Sequence, residues 1–298
     1  MTDISPQSYY QLAIVSGTVS GHGYAALPPE LLAAEQSVAR QNPAAVLTLN
    51  RSLYRNLLKE FTLADACWVF PEKFHFLYEQ QLQRIENLLT DKPDSYFSFD
   101  NDPFRKDLAI LCHRLIRCGA EFPTLFSGIS RSLIFKAGLR QAAKFIQVIC
   151  RGIKPFLELH MHPHFTKAFN PEGWMETYEN LADLLAANPS LLGVQSTSWF
   201  LDPALMEVSP HLSYLWEVPE RCGARILYAG EDDCDYSGAF ATSQTRSDLY
   251  SSGHYKPRFY TRIWPRQLLI QRSWRLLPHW CQRTVKLLSS KDYNFLYW

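Results

Sequence analysis

The sequence predicts a mixed α/β fold, in which helices flank a central mixed sheet and the N-terminal part is mostly helical. Up to about residue 120, apolar residues recur every three or four positions, as they do in helices with one buried face. After Pro155, strand-like runs alternate with helical stretches, and this alternation favours an α/β sheet over a β-sandwich. We therefore expect a mostly helical region at 1–154 and an α/β region at 155–298, either as two domains or as one integrated domain.

The composition is that of a folded globular protein. Of the 298 residues, 47% are hydrophobic and 20% are charged, which excludes a disordered chain. The seven cysteines are an odd number and lack the paired spacing of zinc ligands. The N-terminus lacks the basic and apolar segments of a signal peptide, and no run approaches the roughly 20 apolar residues of a transmembrane helix. These features predict a cytoplasmic protein with reduced thiols.

Periodicity and capping residues set the expected order of the elements. A helix opens at Pro29 and runs to about Arg40, and another begins after Asp100 or Asn101 and ends at Gly119. Further helices are expected at 47–58, 74–89, 127–152, 174–185, 211–218 and 243–251, and strands at 156–161, 191–200, 224–229 and 258–264.

The most distinctive stretch is Glu-Leu-His-Met-His-Pro-His at 158–164, which continues an apolar strand pattern. Side chains alternate between the two faces of a strand, so Glu158, His160 and His162 are expected on one face. His164 joins them only if the proline before it does not turn the chain first. His-x-His on a strand face is also a geometry that binds metals, with Glu158 or Asp202 as a further ligand. Two hypotheses stay open: hydrogen-bonded histidines, structural or catalytic, or a metal site at His160, His162 and His164.

A second polar stretch lies in the strand expected at 191–200. Four consecutive polar residues, 195–198, are unusual in a fully buried strand. In α/β sheets, ligands bind in crevices where such strands end. Asp202 follows directly, and it is a candidate either to contact a substrate or to cap the next helix.

The segment from Ser243 to Tyr255 resembles the closing segment of the GNAT N-acyltransferase family. There, a helix with the pattern Asn-x-x-Ala-x-x-Leu-Tyr precedes a Gly-aromatic turn and the last strands. Leu249 and Tyr250 match the Leu-Tyr pair, while Ser243 stands at the Asn position and Arg246 at the Ala position. Membership would imply a GNAT-like fold, in which Tyr250 protonates the departing thiolate of an acyl-CoA or acyl carrier.

Acyl transfer to an amine also needs a base, which a carboxylate or imidazole on the 156–161 strand would supply. The phosphates of the donor need cations or a helix N-terminus. The predicted donor-binding residues are Arg221, Arg225, Arg246 and Ser243. On this hypothesis, the strands at 191–200 and 224–229 would have to splay apart to admit the pantetheine arm of the donor, which a structure can test.

Positive charge is concentrated in two segments that contain no acid, Phe122 to Leu157 and Leu249 to Lys291. Within them, 127–152 is predicted to be an amphipathic helix with only basic charge on its polar face, and 265–288 combines tryptophan with arginine. Both patterns are typical of helices that lie on an anionic membrane surface. Nucleic acid is a weaker alternative, because the formal net charge is only +1 and no reader motif is present.

The leading hypothesis is an enzyme that moves an acyl group from acyl-CoA or an acyl carrier to an amine acceptor, a lipid-like amine included. The predicted catalytic residues are His160, His162, Tyr250, Glu158 and Asp202. One alternative is a metal-dependent hydrolase or oxygenase that uses His160 and His162 with Glu158 or Asp202. The other is a non-enzymatic membrane-surface or interaction protein. We expect a cytoplasmic location, peripheral to the inner face of the membrane where the basic segments bind lipid.

Overall fold

The computed structural model describes residue 24, residues 29–66, 68–232, 238–241 and 243–272, and residue 275. Most of the basic segment at 265–288 and Cys67, Cys234 and Cys281 therefore lie outside the described residues. The described chain forms a five-stranded mixed sheet with helices, which confirms the predicted fold class. It groups into two units, of which the first contains the described residues up to Arg117 with 122–127 and 162–164, and the second contains the remainder. The division that we expected, into a helical region at 1–154 and an α/β region at 155–298, stays a prediction.

The first unit is built mainly from helices. These are α1 (Pro29–Gln41), α2 (Pro43–Glu60), α3 (Lys73–Asp91) and α4 (Asp102–Leu111), with 3-10 turns at Leu63–Asp65 and Asp94–Phe97. Asn42 begins α2 as its N-cap, because its side-chain oxygen accepts a backbone N–H of the first turn at 3.2 Å. Tyr54, Phe97 and Phe104 form a buried aromatic cluster with ring centroids 5.6–5.8 Å apart.

The five strands form a sheet in the order β1-β2-β3-β5-β4. They are β1 (Glu121–Ser127), β2 (Phe156–Met161), β3 (Gly193–Ser198), β4 (Arg225–Glu231) and β5 (Arg258–Pro265). Strands β2 and β3 are parallel, whereas β5 is antiparallel to β3 and to β4. It follows that β2, β3 and β4 all run in the same direction. The sequence did not predict β1, because Pro123 interrupts it and it lacks the alternation of a half-buried strand.

The helices of the second unit cover both faces of the sheet. They are α5 (Gly138–Ile149), α6 (Pro171–Ala187), α7 (Leu205–Val208), α8 (Tyr214–Arg221), α9 (Gly238–Ala241), α10 (Gln244–Ser251) and α11 (Arg266–Ile270). Helix α6 packs on one face, where the ring of Tyr178 lies 5.1 Å from that of Trp264 in β5. Over the described ranges, no helix combines the length and the apolar character needed to cross a bilayer.

Helix α5 packs on the opposite face. Its side chains and those of β2, β4 and β5 form one buried cluster that contains Phe145, Val148, Phe156, Leu227 and Ile263. Gln141 of α5 also binds the backbone of Tyr228 in β4. The side-chain nitrogen of Gln141 donates to the carbonyl oxygen of Tyr228 at 2.9 Å, and its oxygen accepts the N–H of Tyr228 at 2.8 Å. These contacts fix α5 against β4, the strand at the edge of the sheet.

Two expectations about the second unit are wrong. Residues 127–152 do not form one helix: a 3-10 helix spans Arg131–Phe135, and α5 begins only at Gly138, where φ is +71°. A positive φ interrupts a right-handed helix and favours glycine. The strands expected at 191–200 and 224–229 are not neighbours that splay apart, because β5 lies between β3 and β4 and pairs with both.

Candidate active site

The ladder between strands β2 and β3 ends before the C-terminal ends of the two strands. Their ladder contains only two residue pairs, Leu157 with Val194 and Glu158 with Gln195, although each strand continues for three more residues. Over those residues β3 keeps its ladder with β5, so only its β2 side opens. We call the space between residues 159–161 and 196–198, all of which the structure describes, the β2–β3 gap. Ligands of α/β sheets bind in crevices at the C-terminal ends of strands, which makes this gap the candidate site.

One face of β2 presents Glu158 and His160 beside the gap. Both side chains are half-buried, and strand alternation places them on the α5 side of the sheet. The polar face continues on β3, because Gln195 lies level with Glu158 and the exposed Thr197 follows two residues later. A carboxylate and an imidazole beside an open strand edge can take a proton from a bound substrate.

His162 has a different environment. Beyond the end of β2, its Nε2 lies 3.1 Å from Oδ1 of Asp107, and its Nδ1 accepts the backbone N–H of His164 at 3.2 Å. Because Nδ1 accepts, the proton of the neutral ring is on Nε2 and is donated to Asp107. Both ring nitrogens of His162 are therefore engaged in structural hydrogen bonds.

Asp107 is the centre of a buried charged cluster. Arg84 donates to both of its carboxylate oxygens, and the hydroxyl of Tyr96 donates to Oδ2 at 2.7 Å. Burial by itself would raise the pKa of Asp107, but the hydrogen bond from His162 and the charge of Arg84 outweigh it and lower the pKa to about 2. Burial, with the charges of Arg84 and Lys106, lowers the pKa of His162 although the hydrogen bond and charge of Asp107 oppose this. The cluster thus contains an ionised aspartate, an arginine and a neutral histidine.

The three histidines at 160, 162 and 164 do not form the metal site that the sequence left open. Among the described residues, no group of three His, Cys, Asp or Glu side chains lies close enough together to hold a metal ion. His162 could bind a metal only by losing one of its two hydrogen bonds. Among the described residues, these three histidines therefore do not make up a set of metal ligands.

Asp202 is buried just after a 3-10 helix (Trp199–Leu201) that follows β3. Its carboxylate accepts from Nε and Nη2 of Arg258 at 3.0 and 2.8 Å, and from the backbone N–H of Ala204 at 3.0 Å. The arginine pair ties the chain after β3 to the first residue of β5, and the third bond caps the turn. These contacts are structural, although the residue that caps α7 is Ala204 and not Asp202 as expected.

The helix, turn and strand expected after Ser243 are all present. Ser243 caps α10, because its hydroxyl accepts the N–H of Arg246 at 3.3 Å. Tyr250 is half-buried near the end of α10, and its ring centroid lies 4.5 Å from that of Phe240. Gly253 then adopts a positive φ of 74°, and the chain enters β5.

Arg246 anchors α10 from inside the second unit. Its Nε donates to the carbonyl oxygen of Ala239 at 2.6 Å and its Nη1 to the hydroxyl of Ser209 at 2.9 Å. The buried guanidinium also lies over the ring of Trp199, 4.8 Å from its centroid. A phosphate could engage it only at the expense of these contacts.

The other two predicted arginines are nearer to solvent. Arg221 pairs with Glu217 at 2.6 Å on an exposed surface of α8. Arg225 is the first residue of β4 and contacts the side-chain oxygen of Gln147 at 3.4 Å. Both could contact an anion without breaking a buried hydrogen-bond network.

Sequence reasoning missed two buried polar groups in or before β5. Arg262 pairs with Glu121 at 2.9 Å, where burial raises the pKa of Glu121 by more than the arginine lowers it. The hydroxyl of Tyr255 is buried with no hydrogen-bond partner among the described residues, and burial raises its pKa to about 12. The partner of Arg262 is 141 residues away in sequence, so no local pattern could reveal the pair.

Comparison with known proteins leaves the family open. No known family matches the chain, and no curated protein matches it. Among solved structures, the chain is similar to the crystal structure of an acyltransferase in complex with decanoyl-CoA, with 14% identity over 87% of this chain and 76% of that chain. The TM-score of this pair is 0.44, so the functional assignment has to come from the residues themselves.

Proposed function

We propose that the chain transfers an acyl group from the thioester of an acyl-CoA or an acyl carrier to an amine. The observation that carries the proposal is the β2–β3 gap. A pantetheine arm is an extended chain with amide groups along its length, so it can add to an open strand edge through the hydrogen bonds of an extra β-strand. Its thioester would lie at the C-terminal ends of β2 and β3.

Glu158 and His160 beside the gap, together with Tyr250 of α10, would supply the acid–base chemistry of this reaction. The amine attacks the thioester carbonyl, a carbon–nitrogen bond forms, and Glu158 or His160 takes the proton that the amine loses. The tetrahedral intermediate then collapses, the carbon–sulfur bond breaks, and the hydroxyl of Tyr250 gives its proton to the departing thiolate. We narrow the base to Glu158 and His160, because the contacts of His162 support a structural role.

Features of the second unit support a GNAT-like arrangement. Helix α10 carries Leu249 and Tyr250, Gly253 makes the turn, and β5 follows. Asp202 and Arg258 would position the end of β3. Arg221 and Arg225 are the proposed contacts to the phosphates of the donor, with Arg246 and Ser243 holding α10 in place.

Acyl-CoA and acyl carriers share the pantetheine arm, so the binding of acyl-pantetheine tests the proposal for both classes of donor. A ligand that binds only the folded state must raise the unfolding midpoint, so acyl-pantetheine should stabilise the wild type. Thr197→Trp adds a large ring at the exposed edge of the gap and should abolish that shift. Thr90→Trp, at an exposed position of α3, is the matched control and should retain it.

Two outcomes contradict the proposal. One is a wild type that shows no shift with acyl-pantetheine of any chain length. The other is a full shift in Thr197→Trp, which would mean that the arm binds elsewhere.

A further inference from the structure

The segment between Arg131 and Ile149 exposes large apolar side chains. Phe135 ends the 3-10 helix and is 86% exposed, and Leu139 in the first turn of α5 is 91% exposed. All six residues from Phe135 to Arg140 are exposed. Single exposed apolar residues are common in soluble proteins, but clustered ones mark interaction surfaces.

Helix α5 is apolar on two sides. Phe145 and Val148 face the core of the second unit. Leu139, Ala143 and Ile146 follow one another at spacings of four and three residues, so they share a face, and all three are exposed. A surface helix needs only one apolar face to pack on its protein. The exposed second apolar face therefore indicates that α5 also contacts an apolar environment outside the protein.

The charged residues of the segment itself are all basic. No acid occurs between Phe122 and Leu157, and the basic residues of this stretch are Arg131, Lys136, Arg140, Lys144, Arg151 and Lys154. Lys136 and Arg140 are exposed next to Phe135 and Leu139. From other elements, Glu220 of α8 approaches Lys144 at 4.0 Å.

The apolar tip is held by an ordered base. Leu133 of the 3-10 helix is buried in the same cluster as Phe145. Its carbonyl oxygen accepts from the side chain of Gln141 at 2.6 Å. Gly138 turns the chain with a positive φ of 71°, in a place where an added Cβ would meet no atom of the described residues within 4 Å. The exposed side chains are therefore presented from a fixed position.

We propose that the exposed face of this segment, with Phe135, Leu139 and Ile146 flanked by Lys136 and Arg140, docks on an anionic lipid bilayer. The apolar side chains would enter the acyl-chain boundary while the basic ones contact the head groups. A second copy of the chain fits less well, because a symmetric contact would bring the same basic residues together. Nucleic acid would use the basic residues but leave the exposed Phe135 and Leu139 without a partner. This surface is separate from the proposed acyl transfer and does not depend on it.

Flotation with vesicles tests the proposal with the full chain. The protein should float with vesicles of phosphatidylcholine and phosphatidylglycerol, and only weakly with pure phosphatidylcholine. Phe135→Ser/Leu139→Ser should weaken binding about tenfold or more per side chain, since each loses most of its transfer free energy. Lys136→Glu/Arg140→Glu should remove the preference for the anionic vesicles and its sensitivity to salt. Phe76→Ser, at an exposed phenylalanine of α3, is the control and should bind like the wild type.

The variants keep every residue of 265–288, so a change in binding reports on the segment around Phe135 alone. Thermal unfolding should show wild-type midpoints for all of them, because the altered side chains are exposed. Unchanged flotation of Phe135→Ser/Leu139→Ser overturns the proposal. So does the absence of flotation in the wild type, or a wild-type dimer that this double variant converts to a monomer while its vesicle binding stays the same.

Discussion

The face of β2 that carries Glu158 and His160 contrasts with the cluster around His162 and Asp107. His160 and His162 are two residues apart, and the strand pattern predicts the same role for both. His160 is half-buried beside an open strand edge, whereas His162 is buried with both ring nitrogens bonded. Spacing thus indicates which residues share a face, but the use of a histidine depends on partners that are distant in sequence. We therefore expect the cluster to stabilise the fold and the face of β2 to take part in chemistry.

The largest effect is expected at the centre of the cluster. Asp107→Ala leaves the buried guanidinium of Arg84 without its counter-charge and removes the acceptor of His162. Losing one partner of a buried ion pair costs about 3–5 kcal/mol of unfolding free energy. Urea denaturation measures this loss. The control is Asp94→Ala, whose exposed pair with Arg51 should contribute less than about 1 kcal/mol, and equal losses in the two variants would contradict a special role for the cluster.

Replacing each of the two histidines with alanine should separate an effect on catalysis from an effect on the free energy of unfolding. His160→Ala is expected to lower kcat for acyl transfer about 10²–10⁴-fold if the imidazole is the base, with little change in the unfolding midpoint. His162→Ala should instead lower the unfolding free energy by about 1–3 kcal/mol, because Asp107 loses a buried hydrogen bond. Steady-state kinetics and urea denaturation of both variants measure the two effects. If kcat falls only in Glu158→Gln, the carboxylate is the base; if it falls in neither variant, the face of β2 has no catalytic role.

Stability should fall in two steps as the pH is lowered. The folded pKa of His162 lies below its ordinary value of 6.5, so its contribution is complete above pH 6.5 and decreases as the pH falls below it. The folded pKa of Asp107 is about 2 against 3.8 when unfolded, so its contribution of about 2 kcal/mol is lost only as the pH falls from about 4 to 2. Urea midpoints across the pH range measure both steps. His162→Gln should flatten the upper step, and an upper step that persists in it would assign that titration to another group.

The smallest effects are expected for two tyrosine hydroxyls. Tyr96→Phe removes a donor to the charged Asp107 and should cost about 1–2 kcal/mol. Tyr255→Phe removes a buried hydroxyl that has no partner among the described residues, and it should leave stability unchanged or raise it by about 1 kcal/mol. Both variants lose one tyrosine hydroxyl, which is hydrogen-bonded at Tyr96 and without a partner among the described residues at Tyr255. Thermal unfolding midpoints of the two variants measure the difference. A loss at Tyr255 as large as that at Tyr96 would show that its hydroxyl has a structural role.

The sequence predicted those elements whose stability is local. Strand β5 differs by one residue from the expected 258–264, and α10 lies within the expected 243–251. Both follow from short-range rules, namely β-branched and aromatic residues in a strand and a serine N-cap before a helix. The break at Gly138 was missed because the basic and apolar pattern on either side of it suits one continuous helix.

The candidate site depends on longer-range pairing, which the sequence could not provide. The polar residues at 158–162 and 195–198 were identified, but the gap was expected between the wrong strands. Strand order depends on which edges meet in three dimensions, and here β5 inserts between two strands that precede it in sequence. The contact of His162 with Asp107 could not be predicted for the same reason, because the two residues are 55 positions apart in sequence.

The contact between Gln141 and Tyr228 has a consequence for solubility. Strand β4 ends the sheet, and the outermost strand of a sheet offers unpaired backbone groups to which other chains can add. One glutamine amide supplies the donor and the acceptor that a neighbouring strand would give Tyr228. The side chain thereby occupies, at Tyr228, the backbone groups through which another strand could add to this border. Leucine at position 141 would fill a similar volume but would expose that border to self-association.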